Sequence, residues 1–277
     1  MPHSSISYDA ILEIMCAASV KAGNYIMAHY QQPILIEEKS DHSPVTIADQ
    51  GAEAIILATL RKAFADIPII AEEEVASGVK TNLASRFFLV DPLDGTREFI
   101  AQNGEFTVNI ALIDNYCPLL GVIFIPAQNK LYVGSPNGAF LYHVTHGKKD
   151  DGVRLSTRQM PSNPIAVMSR SHRCTITDDW LKYHQVEHRL AVGSSLKFCL
   201  VAEGKADIYP RFEPCMTWDV AAGDAILRAA GGTMVDEAGN PIRYGACDVS
   251  ADPCHKQGIF FAVGDEAGFK KLSTSHN

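Results

Sequence analysis

The sequence predicts an α+β chain whose second half is α/β. A long helical periodicity opens the chain, a run of short apolar strands fills its middle, and strand-like and helix-like segments alternate toward its end. At 277 residues, it suits one large core or two coupled ones, since single cores stop growing near ~250–300 residues.

Ile11, Ile14, Met15, Ala18, Val20, Ala22 and Ile26 recur at helical spacing, predicting an amphipathic helix over Tyr8–Tyr30. The polar segment EEKSDHSPVT follows, and Ser43 before Pro44 disfavours helix, so it reads as an exposed loop. A second helix is predicted over Thr46–Phe64, capped by Thr46 with Asp49 in its first turn. The apolar run IPIIA leads into Glu72-Glu73-Glu74, and RFFLV leads into Asp91. VNIALI, GVIFI, KLYVG and AFLYH, bounded by Asn, Pro and Gly, predict an antiparallel meander.

The polar stretch Arg158 to Asn163 divides residues 1–157 from 158–277. Beyond it we predict strand IAVMS, a helix near Thr175–Tyr183, strand VEHRLAV, helix SSLKFCLVAEG and strand ADIYP, then helix WDVAAGDAILRAAGG and strand TMVDE. Internal repeats are absent.

A formal charge of -8 repels nucleic acid backbones, which argues against a polynucleotide partner. The seven cysteines are scattered without a C-x-x-C pair and read as buried thiols of a reducing cytosol. Because Asp9 and Glu13 interrupt the only candidate leader and no apolar run approaches the ~18 residues of a membrane span, the expected location is cytoplasmic. His143, His146, His184 and His188 show no ligand pairing and read as surface residues, whereas Phe87 and Phe88 read as core.

The strongest chemical signal is Asp91-Pro92-Leu93-Asp94-Gly95-Thr96 at the end of a β-rich run. Pro92 should stop the strand with Asp91 at its tip, and Asp94 should cap a helix beginning near Gly95. Two carboxylates and a backbone carbonyl would then face one point, the oxygen set that Mg²⁺ takes up alongside water and phosphate oxygens. The N–H groups of Gly95 and Thr96 would receive a phosphate oxygen. A bare D-x-x-D-G more often makes a simple Asx turn. What changes the balance is a second carboxylate at a helix start, Asp219 after Trp218, with a third from Glu72. Four carboxylates within ~4–6 Å repel by about 4 kcal/mol per pair at an effective dielectric of ~20. Two divalent cations would cancel those charges.

A-E-E, D-P-L-D-G-T and W-D-V-A-A-G-D-A-I-L followed by G-G, in that order across nearly the whole chain, resemble the inositol monophosphatase-like, lithium-sensitive phosphatase superfamily. The resemblance implies a layered αβαβα sugar-phosphatase-like fold with two or three Mg²⁺ at the junction of the halves. It assigns Glu72, Asp91 and the Leu93 carbonyl to one metal, and Asp91, Asp94 and Asp219 to a second. Thr96, supported by Asp49, would orient a water together with Glu72, and Glu73 would lie nearby. The superfamily includes monomers and dimers, and some bacterial relatives attach peripherally to the inner membrane.

D-P-L-D-G-T-R-E-F, with V-G-S-S-L-K-F-C-L-V-A-E-G-K-A-D-I-Y-P-R, most resembles the bacterial 3'(2'),5'-bisphosphate nucleotidases within that superfamily. That implies removal of the 3'-phosphate from adenosine 3',5'-bisphosphate, with phosphoadenylyl sulfate as a further substrate. It also implies that Ser169 and His172 approach the nucleotide and Arg211 its second phosphate. Gly193, Ser194 and Ser195 form a small-residue turn before Lys197, a cradle for a ligand edge. Against these readings, Arg211 could pair with Glu213 at the surface, and His172 could be a solvated loop residue. An inositol monophosphatase or another sugar phosphatase would share every metal ligand. A non-catalytic metal- or nucleotide-binding regulator would not need all of Glu72, Asp91, Asp94, Thr96 and Asp219.

Overall fold

A computed structural model describes residues 7–30, 32, 36–38, 44–82, 84–171, 174–245 and 255–274. The first half comprises α1 (Tyr8–Tyr30), β1 (Ile36–Glu38), β2 (Pro44–Thr46), α2 (Ile47–Ala63), β3 (Ile69–Ala71), α3 (Glu72–Ala76), β4 (Arg86–Asp94) and α4 (Thr96–Ile100). It continues with β5 (Thr107–Asp114), β6 (Cys117–Ile125), β7 (Lys130–Ser135), β8 (Gly138–Thr145), β9 (Lys148–Lys149) and β10 (Val153–Leu155). The second half comprises β11 (Ile165–Ser169), α5 (Thr175–Tyr183), β12 (His188–Val192), α6 (Leu196–Ala202), β13 (Ile208–Arg211) and β14 (Cys215–Met216). It ends with α7 (Thr217–Ala229), β15 (Thr233–Val235), β16 (Lys256–Gln257), β17 (Phe260–Val263) and α8 (Glu266–Thr274).

Strands β5 to β8 form the predicted antiparallel meander, extended by β4 antiparallel to β5, by β3 parallel to β4, and by β10 and β9 beside β8. In a second sheet, ordered β12-β11-β13-β17-β15, four strands run in one direction and β17 alone runs against its neighbours β13 and β15. Within β4, Phe88 and Val90 enter the core under α1 and α2, while Phe87 and Leu89 enter the core shared with α6 and α7. This period-2 alternation makes the large sheet the partition between two apolar layers. Leu181, Val186, Phe261 and Phe269 seal the far face of the second sheet beneath α5 and α8. The stack is therefore αβαβα.

Although α7 belongs to the second half, it packs on β4 to β8 of the large sheet. Gly121 and Gly134 face each other across β6 and β7, and a Cβ on either would meet α7 backbone at 2.4 Å and 2.5 Å. The absence of those two side chains seats α7 on the sheet and fixes where its first turn points.

Several local expectations change. At the two ends of the EEKSDHSPVT segment, Glu37 and Glu38 pair with Val45 and Pro44 in the β1–β2 ladder, and the loop expected between them falls on residues 39–43, outside the described residues. Glu72 opens a short helix that the sequence reading did not predict. Pro92 does not end β4: the strand continues to Asp94 through a bulge, where a missing ladder N–H costs little. Gly95, at φ +89, takes the N-cap position of α4 in place of Asp94. His184 is buried against Trp180 rather than on the surface. Helix α1 is long and apolar enough to cross a membrane by length and composition, but half of the relevant window is buried within the fold.

Candidate active site

Residues from both halves wall one pocket, in which β4 and α4 supply Asp91, Leu93, Asp94, Gly95 and Thr96. Glu72 enters from α3 and Asp219 from α7. Ser169, Lys197 and Arg211 line the second-half side. Asp49 stands behind Thr96, whose Oγ1 donates to Asp49 Oδ1 at 3.0 Å and lies 3.4 Å from the Leu93 carbonyl. His172 lies outside the described residues.

Each acid is held locally. Asp49 Oδ2 accepts from Thr46 N at 2.8 Å and Thr46 Oγ1 at 2.7 Å, closing a capping box at the start of α2. Asp91 Oδ1 accepts from Leu93 N at 3.0 Å, which turns the bulge back on itself. Asp219 Oδ2 accepts from Met216 N at 3.0 Å at the start of α7. Only the first acid of the Glu72-Glu73-Glu74 run lines this pocket, while Glu74 pairs with Arg61.

Asp94 receives the Ser194 and Ser195 hydroxyls at 2.8 Å each. Thr107 and Asn109, on the neighbouring strand, extend that network: Thr107 Oγ1 lies 2.6 Å from Ser194 Oγ, and Asn109 Nδ2 donates to Ser195 Oγ at 2.9 Å. Neither residue belongs to a motif recognised in the sequence. Their signal was the polar pair at i and i+2 in an otherwise apolar strand, T-V-N-I, which places both side chains on one face.

Burial raises Asp91 well above the usual carboxylate range, reinforced by the charges of Glu72, Asp94 and Asp219. Burial, then Asp94 and Glu72, pushes Asp219 up to about 8. Asp49 rises to about 6, mainly through burial and against its Thr46 hydrogen bonds. Among the described residues, no three His, Cys, Asp or Glu are gathered tightly enough to form a metal cage by themselves. The acids are instead spread around an oxygen-lined pocket with a concentrated negative charge. That donor set fits a hard divalent cation completing its shell with water and phosphate oxygens.

Lys197 and Gly193 differ from their expected arrangement. Lys197 is buried, and its ammonium donates to the Ser194 and Val192 carbonyls above the Tyr209 ring. Gly193 is not part of the pocket wall: its N–H donates to Glu105 Oε2 at 2.7 Å, and a Cβ would meet Glu98 at 2.6 Å. Arg211 anchors Nε on the Glu213 carbonyl at 3.1 Å and Nη1 on the Tyr209 hydroxyl at 3.2 Å while still lining the pocket.

A layered αβαβα fold with acids from both halves around one pocket defines a class of phosphatases. The chain belongs to the inositol monophosphatase family, whose model matches residues 7–263. It is 40% identical over 253 residues to the 3'(2'),5'-bisphosphate nucleotidase CysQ of Escherichia coli strain K12, covering 90% of this chain and all of that protein. CysQ of Salmonella typhimurium is 42% identical over 237 residues, covering 84% of this chain and 94% of that protein. The crystal structure of CysQ from Bacteroides thetaiotaomicron superposes with a TM-score of 0.76 at 36% identity, covering 93% of this chain and 98% of that one.

Proposed function

We propose that this chain is a cytoplasmic, Mg²⁺-dependent 3'(2'),5'-bisphosphate nucleotidase that removes the 3'-phosphate of adenosine 3',5'-bisphosphate and accepts phosphoadenylyl sulfate as well. The observation that carries the reading is the shared pocket, with Glu72, Asp91, Asp94 and Asp219 on its wall and Arg211 among the lining residues of the second half. The likeness to CysQ across nearly the full chain selects the nucleotide within the family. Five unpaired cysteine thiols among the described residues fit a reducing compartment.

Glu72, Asp91, Asp94, Asp219 and the Leu93 carbonyl would hold the metal ions. Bound there, the ions would acidify water and neutralise phosphoryl charge. Thr96 donates its hydroxyl proton to Asp49, which leaves its oxygen as an acceptor toward the pocket. It can therefore align an attacking water, with Glu72 as a second acceptor. Burial of Asp49 favours its taking up a proton passed through Thr96. Gly95 and Thr96 N–H groups would receive a phosphate oxygen, Ser169 would approach the nucleoside, and Arg211 would meet the phosphate that is not cleaved.

The test is phosphate release from adenosine 3',5'-bisphosphate, phosphoadenylyl sulfate, inositol phosphate and fructose bisphosphate, each with Mg²⁺ and with chelator. The highest kcat/KM should fall on a bisphosphate nucleotide. Preference for inositol phosphate would make it a sugar phosphatase, and no Mg²⁺-dependent release would leave a binding protein.

A further inference from the structure

Glu53 is a buried carboxylate outside the pocket wall, on the helix that carries Asp49. Its two oxygens grip successive backbone donors: Oε2 accepts from Glu73 N and Oε1 from Glu74 N, both at 2.8 Å. These N–H groups belong to the first turn of α3, whose N-cap residue, Ala71, has no side chain able to cap it. Glu53 supplies that cap from another helix.

Burial, with the charges of Glu73 and Glu74 close by, pushes its carboxyl up to about 7. A carboxylate is costly in such a place, and two adjacent donors give the reason to keep one. Both oxygens of Glu accept, whereas Gln would offer one oxygen and turn an NH₂ toward the other amide. Asp49 and Glu53 lie one turn apart on α2, so one helix face holds Thr96 through Asp49 and the frame of Glu72 through Glu53.

We infer that Glu53 is a positioning residue for the phosphatase reaction: by clamping the first turn of α3 it selects Glu72, rather than Glu73 or Glu74, to face the pocket. The inference rests on the reading of Glu72 as a metal ligand. Glu53 itself is not among the residues that line the pocket.

The experiment compares Glu53→Gln, Glu53→Asp, Glu72→Gln and Leu57→Ala with wild type. Leu57 is a buried core residue of the same helix that contacts none of the site acids through a hydrogen bond, so its truncation reports general destabilisation. Mg²⁺ binding is measured by calorimetry on substrate-free protein, with kcat, KM and Tm alongside. Glu53→Gln should weaken Mg²⁺ binding and lower kcat ~10–100-fold with the nucleotide KM unchanged, the scale seen when outer-shell partners of metal ligands are lost. Glu53→Asp, which keeps the charge but withdraws it by one methylene, should fall between. Leu57→Ala should lower Tm with Mg²⁺ binding intact.

Wild-type Mg²⁺ binding in Glu53→Gln, or a loss no larger than that of Leu57→Ala, overturns the inference. Failure of both Glu53 variants to fold also overturns it, by assigning the residue to the fold. The site reading has its own control: Glu72→Gln at wild-type activity would sink that reading, whereas inactive Glu72→Gln beside a normal Glu53→Gln would sink only the role of Glu53.

Discussion

Ser195, at the start of a second-half helix, places its hydroxyl 2.8 Å from Asp94 Oδ2 on the large sheet and 2.7 Å from the Asp219 carbonyl. One proton serves two acceptors, and Asn109 donates to the same oxygen from the neighbouring strand. The hydroxyl thus ties the two halves together beside the acids. Ser195→Ala should lower kcat/KM about tenfold, with a stability loss of about 1–3 kcal/mol for the unsatisfied groups. Kinetics and denaturant titration together check this, and unchanged kcat/KM would reduce Ser195 to a packing residue.

The elements flanking this contact were legible to different degrees. The bounds of α1 follow directly from its apolar spacing, and the meander follows from short β-branched runs separated by turn residues. The choice of Glu72 within the triple glutamate came from the resemblance and not from the local pattern, since the partner of the backbone there, Glu53, is distant in sequence. The direction of Lys197 was not legible either. A lysine after a Gly-Ser-Ser turn looks like a ligand group, but Phe198, Tyr209 and Phe260 form an apolar nest around this helix, and the ammonium turns to nearby carbonyls. Asp94 reads as a cap in sequence because the bulge that keeps it in β4 depends on pairing with Thr107.

Gly134→Ala tests how the sheet positions Asp219. The added Cβ would meet the Ile226 Cα at 2.5 Å, a backbone atom that yields only if α7 shifts. Tm should fall, and kcat should fall with it, because the same helix carries Asp219 in its first turn. Lower Tm with wild-type kcat would show that α7 absorbs the strain without moving its N-terminus.

Metal-free protein should lose stability as pH rises. The Asp219 pKa rises from 3.8 to about 8 on folding, so between those values the native state binds more protons than the unfolded chain. The contribution is fully present below pH ~4 and is lost as pH climbs through about 8, where the buried charge must form. Tm in chelator should therefore fall from pH 5 to pH 9, Mg²⁺ should flatten the fall, and Asp219→Asn should reduce it in metal-free protein while abolishing turnover. A chelator profile unaffected by Asp219→Asn would contradict the assignment.

Thr96→Ala should lower kcat more than it raises KM, since an oxygen that aligns water acts mainly in the transition state. Asp49→Asn should show the same split, because Thr96 donates to Asp49. A pure KM effect in both variants would confine the pair to substrate binding.

Substrate choice separates Arg211 from Lys197. A bisphosphate substrate leaves a second dianionic group beyond the reach of the metal ions, and that group needs its own cation. Arg211 lines the pocket with Nε and Nη1 anchored, and its Nη2 has no hydrogen-bond partner among the described residues. A guanidinium braced in this way suits an uncleaved phosphate. Lys197, by contrast, spends its ammonium on the Ser194 and Val192 carbonyls and braces Ser194, which sits at φ +53 and donates to Asp94. Burial lowers its pKa to about 8. Arg211→Ala should cost roughly tenfold to a hundredfold in kcat/KM on adenosine 3',5'-bisphosphate, as expected for a charged hydrogen bond, and little on a monophosphate without the second group. Lys197→Met should cost both substrates alike, because it acts through the turn that holds Asp94. Equal losses in Arg211→Ala on the two substrates would remove the physical basis for the nucleotide preference, and a bisphosphate-selective loss in Lys197→Met would return the lysine to the substrate.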